Sequence, residues 1–160
     1  MDLALGNWQV NGILSLYSGF PISAQTSFQG GSFAGYFPDP VSGKDPNAAP
    51  PGGRTPDQWW DATAVQNPAM GSQGALAAMY LRRPGQQNLD FSLFKRFPLT
   101  ERFQLVYRCE FLNLFNTPFY GDPGRTFNGD LSNPQDGGYA RITGTNGNPR
   151  QIQMMLRLEF

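Results

Sequence analysis

A chain of 160 residues suits one domain on length; it has zero formal net charge, no histidine and one cysteine. Charged residues make up 15%, against roughly 25% in soluble domains, and Arg and Lys are dispersed, so nothing basic enough to hold nucleic acid is present. Without histidine, Ser-His and Cys-His nucleophilic sites and zinc sites of the common sort are excluded, and the lone Cys109 permits no internal disulfide.

The 13 phenylalanines, 19 glycines and 14 prolines describe a chain of strands and long irregular loops. No stretch approaches the roughly 18 apolar residues of a membrane helix. The negative mean hydropathy, −0.42, leaves the membrane open, because a barrel strand needs only every second residue apolar. The opening MDLALGNWQV has no basic region followed by an apolar core, so it is no signal peptide.

In chain order, the first patterned segment is residues 7–18. Trp8, Val10, Gly12, Leu14 and Leu16 share one face, against Gln9, Asn11, Ile13, Ser15 and Tyr17. A long Gly/Pro-rich connection follows. Within it Thr55 reads as a helix N-cap, Pro56 as the first helical position and Gln58 as the partner in a capping box, which predicts a short helix from Pro56 to about Ala64. Residues 71–81 read as a second helix or an extended piece. The connection's aromatics, Phe28, Phe33, Tyr36, Phe37, Trp59 and Trp60, offer stacking surface for a ligand such as a glycan. The favoured expectation is that they pin the loop to itself.

The second strand is expected over 88–97, with Leu89, Phe91, Leu93 and Phe97 opposed to Asp90, Ser92 and Arg96. A tight turn, Pro98-Leu99-Thr100-Glu101, leads to a third over 102–115. There Phe103, Leu105, Tyr107, Cys109 and Phe111 oppose Gln104, Arg108 and Glu110. The second long connection, 116–149, carries Asp122, Asp130 and Asp136, whose spacing does not match a calcium loop. Gly30-Gly31 and Gly52-Gly53 follow no phosphate-binding pattern. Residues 149–160 form the fourth strand, with Ile152, Met154, Leu156, Leu158 and Phe160 on one face and Gln151, Gln153, Met155, Arg157 and Glu159 on the other.

About 9–11 residues of tilted strand cross a bilayer, and strict alternation marks a transmembrane barrel strand. The expected fold is all-β: the last four strands of an antiparallel up-and-down transmembrane β-barrel, with two long extracellular loops. With the tight turn periplasmic, Trp8, Phe97, Phe103 and Phe160 fall at one membrane interface as an aromatic girdle. Lys95, on the second apolar face, is expected to snorkel to the headgroups. Arg108/Glu110 and Arg157/Glu159 are expected to form lumenal charge pairs between adjacent strands rather than a catalytic or substrate site. Four strands are too few to close, and open edges in lipid leave backbone groups unpaired, so remaining barrel strands are required. Since an outer-membrane protein needs a leader, Met1 is not expected to be the start of the parent protein.

Residues 89–123, LDFSLFKRFPLTERFQLVYRCEFLNLFNTPFYGDP, resemble the C-terminal barrel of TonB-dependent outer-membrane receptors, closest to the large Oar-like proteins with a carboxypeptidase-regulatory-like domain. GNWQVNG with SGFP near the start, the Arg54–Trp60 piece and residues 149–160 match in the same order. The resemblance implies a parent with a barrel of about 22 strands, a plug domain and a TonB box, none of them within this chain. It implies that Met154, Leu156, Leu158 and Phe160 act as the signal read by the barrel-assembly machinery. The implied partners are outer-membrane lipid, the missing strands and plug, and TonB through the missing N-terminal region. No cofactor, metal or enzymatic activity is expected. The function expected is import of a bulky ligand by the parent receptor of a Gram-negative bacterium. The alternatives are a structural or adhesive outer-membrane protein without transport, and a soluble sheet module that would leave a greasy face in water.

Overall fold

Period-two alternation yields four long strands: β1 (Trp8–Tyr17), β2 (Gln86–Pro98), β3 (Gln104–Leu112) and β4 (Gln151–Glu159). They are seen in a computed structural model that describes residues 5–27 and 37–160. The strands pair antiparallel in the order β1-β2-β3-β4, an up-and-down meander whose outer strands are β1 and β4. With 9 to 13 residues each, all are long enough for a bilayer crossing. This sheet belongs to a unit made of Met1–Tyr17, Gln86–Phe119 and Gly147–Phe160.

Local chemistry sets the strand ends. Thr100 makes the β2–β3 turn: its hydroxyl accepts from the backbone N–H groups of Arg102 and Phe103, while Leu99 N–H donates to the Phe103 carbonyl at 3.0 Å. Strand β3 stops at Leu112, short of the expected residue 115, because Asn113 takes a left-handed backbone (φ 54°) that few residues other than Asn and Gly adopt easily. The buried Asn113 side chain then accepts from Thr117 N–H at 2.9 Å and donates to the Thr117 carbonyl at 3.0 Å. Its own N–H donates to Asp90 Oδ1 at 2.9 Å. The chain leaves the ladder there in a fully bonded turn.

The two long connections are not structureless. Ser18–Gly85 and Tyr120–Asn146 fold together into a second unit. Three two-residue ladders hold it: Pro21–Ile22 with Leu81–Arg82, Asp39–Pro40 with Val65–Gln66, and the parallel pair Gln25–Thr26 with Thr126–Phe127. The last joins the two connections, as do backbone bonds from Trp59 to Ala140 (2.8 Å) and from Ile142 to Pro56 (2.7 Å). Inside lies a core of Trp60, Phe127, Tyr139, Leu81, Val65, Ala24 and Ala62. The Tyr139 ring meets Trp60 and Phe127 edge-on, at centroid distances of 6.0 and 5.7 Å. Gly124 is required by close approach: a Cβ there would lie 2.1 Å from the Gly138 carbonyl oxygen.

The helix expected over 56–64 does not form. Thr55 does act as expected on Gln58, its hydroxyl accepting that residue's N–H at 3.2 Å. The backbone, however, closes Thr55 and Gln58 into a reciprocal bridge, and Trp59 N–H goes to Ala140 instead of back along a helix. Burying Trp60 in the shared core outweighs a single local turn. Only a 3-10 turn, Ala62–Ala64, capped by Asp61, remains. Residues 71–81 are turns leading into the short strand Leu81–Arg82.

Candidate functional site

The register turns four separate alternations into one surface. Val10, Leu93, Cys109 and Met154 form a row across the sheet; Gly12, Phe91, Phe111 and Ile152 form the next; Phe97, Leu105 and Leu158 form another. All the expected apolar positions therefore fall on one face, since a single slip of one residue would have reversed a strand. Val10, Leu14, Leu16, Met154, Leu156 and Leu158 are exposed there.

The four aromatic positions at the turn end lie along this face. Trp8 stands opposite Lys95, Phe97 opposite Leu105, and the Phe103 and Phe160 rings meet at 6.4 Å. Lys95 does not snorkel outward. It is 1% exposed, with Nζ 4.7 Å from the Trp8 ring centroid and 5.4 Å from that of Phe97, and it donates to the Gly6 carbonyl. Two ring faces and a carbonyl together replace its hydration.

The opposite face carries the other charged residues, interspersed with Ile13, Phe94, Val106 and Met155. Arg108 pairs with Glu110, and Arg157 with Glu159 at 3.5 Å. Both pairs run along a strand, two residues apart, not between strands as expected. The register sets Arg108 opposite Phe94 and Met155, and Glu110 opposite Ser92 and Gln153, so no carboxylate faces an arginine directly. Instead the Arg108 guanidinium covers the Phe94 ring at 4.9 Å, and the Ser92 hydroxyl donates to Glu110 at 3.3 Å.

In the second unit the two tryptophans part company. Trp60 is fully buried and has no ring face open to a ligand. Trp59 is half-buried, with Arg54 5.5 Å over its ring and its indole N–H donating to the Arg82 carbonyl at 3.0 Å. Phe37 packs against the core; Phe28, Phe33 and Tyr36 lie outside the described residues. The three aspartates serve separate bonds. Asp122 pairs with Arg83 at 2.9 Å, Asp136 accepts from the Asn128 amide, and Asp130 accepts from the Ser132 hydroxyl and backbone. Those Ser132 bonds hold the Asp130 carboxyl below its ordinary value. Burial pushes the Tyr139 hydroxyl well above its ordinary value, and the Asp45 carboxylate, accepting from the Tyr80 hydroxyl, raises that one. Lys44 bonds Thr63 through its hydroxyl and carbonyl. Among the described residues no group of three or more acidic or cysteine side chains converges to hold a metal.

The sequence singled out neither Phe127 nor Tyr139. No period marks them, because they pack on each other and on residues of the other connection, Trp60 against Tyr139 and Ser27 against Phe127, beyond any local pattern.

An antiparallel meander with one apolar face and one that carries most of the charged residues, each strand long enough to cross a bilayer, defines a segment of transmembrane β-barrel wall. A family model, described as outer membrane beta barrel domain, matches residues 1–153. The chain belongs to that family, which places it in the outer membrane with its apolar face against lipid. Comparison with curated proteins and with solved structures found no significant match to either.

Proposed function

We propose that the chain supplies four strands of the barrel of a TonB-dependent, Oar-like receptor of a Gram-negative bacterium, whose whole barrel binds a bulky ligand and imports it with TonB coupling. The observation that supports this best is the stagger of the aromatic line. Trp8, Phe97 and Phe103 each lie one row of two residues beyond the last, and Phe160 is level with Phe103. That is a little over one residue per strand. A strand tilt of about 40°, at roughly 4.8 Å between strands and 3.4 Å per residue, gives about 1.2. Such a line lies level in a membrane when the strands tilt as in a barrel, so these four residues serve as the interface girdle.

On this reading the polar face, with its Arg108–Glu110 and Arg157–Glu159 pairs, lines the lumen, and the co-folded connections stand outside the cell. Met154, Leu156, Leu158 and Phe160 present the last strand to the barrel-assembly machinery. No catalytic step is assigned to any residue. Cells expressing the intact parent, with and without TonB, test the transport reading. Substrate uptake that disappears without TonB, while surface binding persists, is the expected result. Binding with no uptake in either strain would favour a structural or adhesive protein.

A further inference from the structure

We infer that Asn146 is a site of spontaneous covalent modification, where attack by the Gly147 backbone nitrogen converts the side-chain amide to an acid. Three asparagines of the chain precede glycine: Asn11, Asn128 and Asn146. A following residue without Cβ opens the approach of its nitrogen to the asparagine Cγ. The structure separates the three pairs. Asn11 lies within β1, where pairing with Ser92 of β2 holds the backbone extended and keeps the two atoms apart. Asn128 is held at both ends of its amide: the nitrogen donates to Asp136 at 2.7 Å and the oxygen accepts from Asp130 N–H at 3.0 Å. Asn146 is exposed in a bend, and among the described residues neither its amide nor the Gly147 N–H makes a hydrogen bond. Packing keeps the reactive pair together, because a Cβ at Gly147 would lie 2.5 Å from the Phe119 ring.

The reaction needs only water. The Gly147 nitrogen gives up its proton to solvent and bonds to the Asn146 Cγ, while the Cγ–N bond breaks and ammonia leaves with a proton from solvent. One water molecule then opens the five-membered imide at either carbonyl and restores the Gly147 N–H. Opening at one carbonyl gives aspartate; opening at the other gives isoaspartate, whose main chain runs through Cβ and Cγ. The surroundings make the product felt. The Gly144 carbonyl oxygen and Asn146 Oδ1 lie 3.0 and 3.5 Å from the point where a Gly121 Cβ would stand. Gly121 N–H donates to that carbonyl at 2.9 Å, next to the bridge between Tyr120 and Thr145. A carboxylate in place of the amide sets a full negative charge near the carbonyl oxygen, and isoaspartate lengthens the backbone beside it. Both loosen the closure of the second connection.

The inference rests on backbone chemistry, not on transport, so failure of ligand uptake would leave it standing. The intact protein is aged in detergent at mildly alkaline pH and digested, and each Asn-Gly peptide is weighed for the change from amide to acid. The Asn146 peptide is expected to convert about ten-fold faster than those of Asn11 and Asn128. In urea, where the fold no longer distinguishes them, the three should convert at similar rates. Asn146→Gln, whose longer side chain must close a larger ring, should abolish the conversion at that position. Hydrogen exchange at Gly121 should quicken in the aged parent and stay unchanged in aged Asn146→Gln. Equal or slower conversion of Asn146 in the folded protein would overturn the site, as would the same order of rates in urea. Unaltered Gly121 exchange after full conversion would overturn the loosening.

Discussion

Lys95 shows how one charge is tolerated on an apolar face. Its ammonium is shielded by Trp8 and Phe97 and bonded to the Gly6 carbonyl, so the side chain joins the start of β1 to β2. Lys95→Met keeps the bulk and removes those contacts. A loss of about 2 kcal/mol is expected in urea unfolding of the intact barrel, and an unchanged midpoint would show that the contacts contribute nothing net. Tyr139 makes the opposite case. Its hydroxyl is buried beside the Trp60 indole, and burial raises its folded-state pKa above the ordinary 10.0. The folded state therefore holds the proton more tightly than the unfolded one. That stabilisation is complete below about pH 10 and is lost as the pH rises toward the folded value. Tyr139→Phe should leave stability at pH 7 the same or higher, and should weaken the alkaline loss, followed by Trp60 fluorescence. A variant as alkali-sensitive as the parent would assign the effect elsewhere.

At the level of elements, alternation was enough to find all four strands, and their apolar residues fell on one face as the pattern required. What it missed were ends and local exceptions. Strand β3 stops early because the Asn113 side chain offers the backbone a better-bonded turn, and the expected helix near Trp59 yields to contacts with a distant connection. The charge pairs were legible with their partners, but not that each closes along its own strand instead of across strands, since that depends on register. Gly124→Ala should destabilise the loop unit by about 1–3 kcal/mol, because the backbone at Gly138 must move; hydrogen exchange at Phe127 and Tyr139 reads it directly. Deleting Phe160 removes the ring against Phe103 and the end of the last strand. Slower or failed assembly of the intact protein is expected, seen as loss of the compact, heat-modifiable gel band, and normal insertion would defeat the signal assigned to it.

At the scale of the whole molecule, the meander remains open, with β1 and β4 at its edges. Unpaired backbone groups in hydrocarbon cost several kcal/mol each. The 160-residue chain by itself is therefore expected not to insert stably into vesicles. Protease added outside should digest it, and a protected, strand-rich fragment would contradict that expectation. The loop unit carries its own buried core, so its amides should exchange slowly in the intact protein.

The sequence by itself determined the strand content and which residues face apart, because side-chain direction repeats every two residues whatever the surroundings. It also determined the short turn at one end of the strands and the long connections at the other. Only the tertiary structure decided that these connections fold into one unit around Trp60, Phe127 and Tyr139. It alone showed that Lys95 lies under rings and that the charge pairs run along strands. Those outcomes depend on residues far apart in the chain meeting at van der Waals distance, and no local period carries that information.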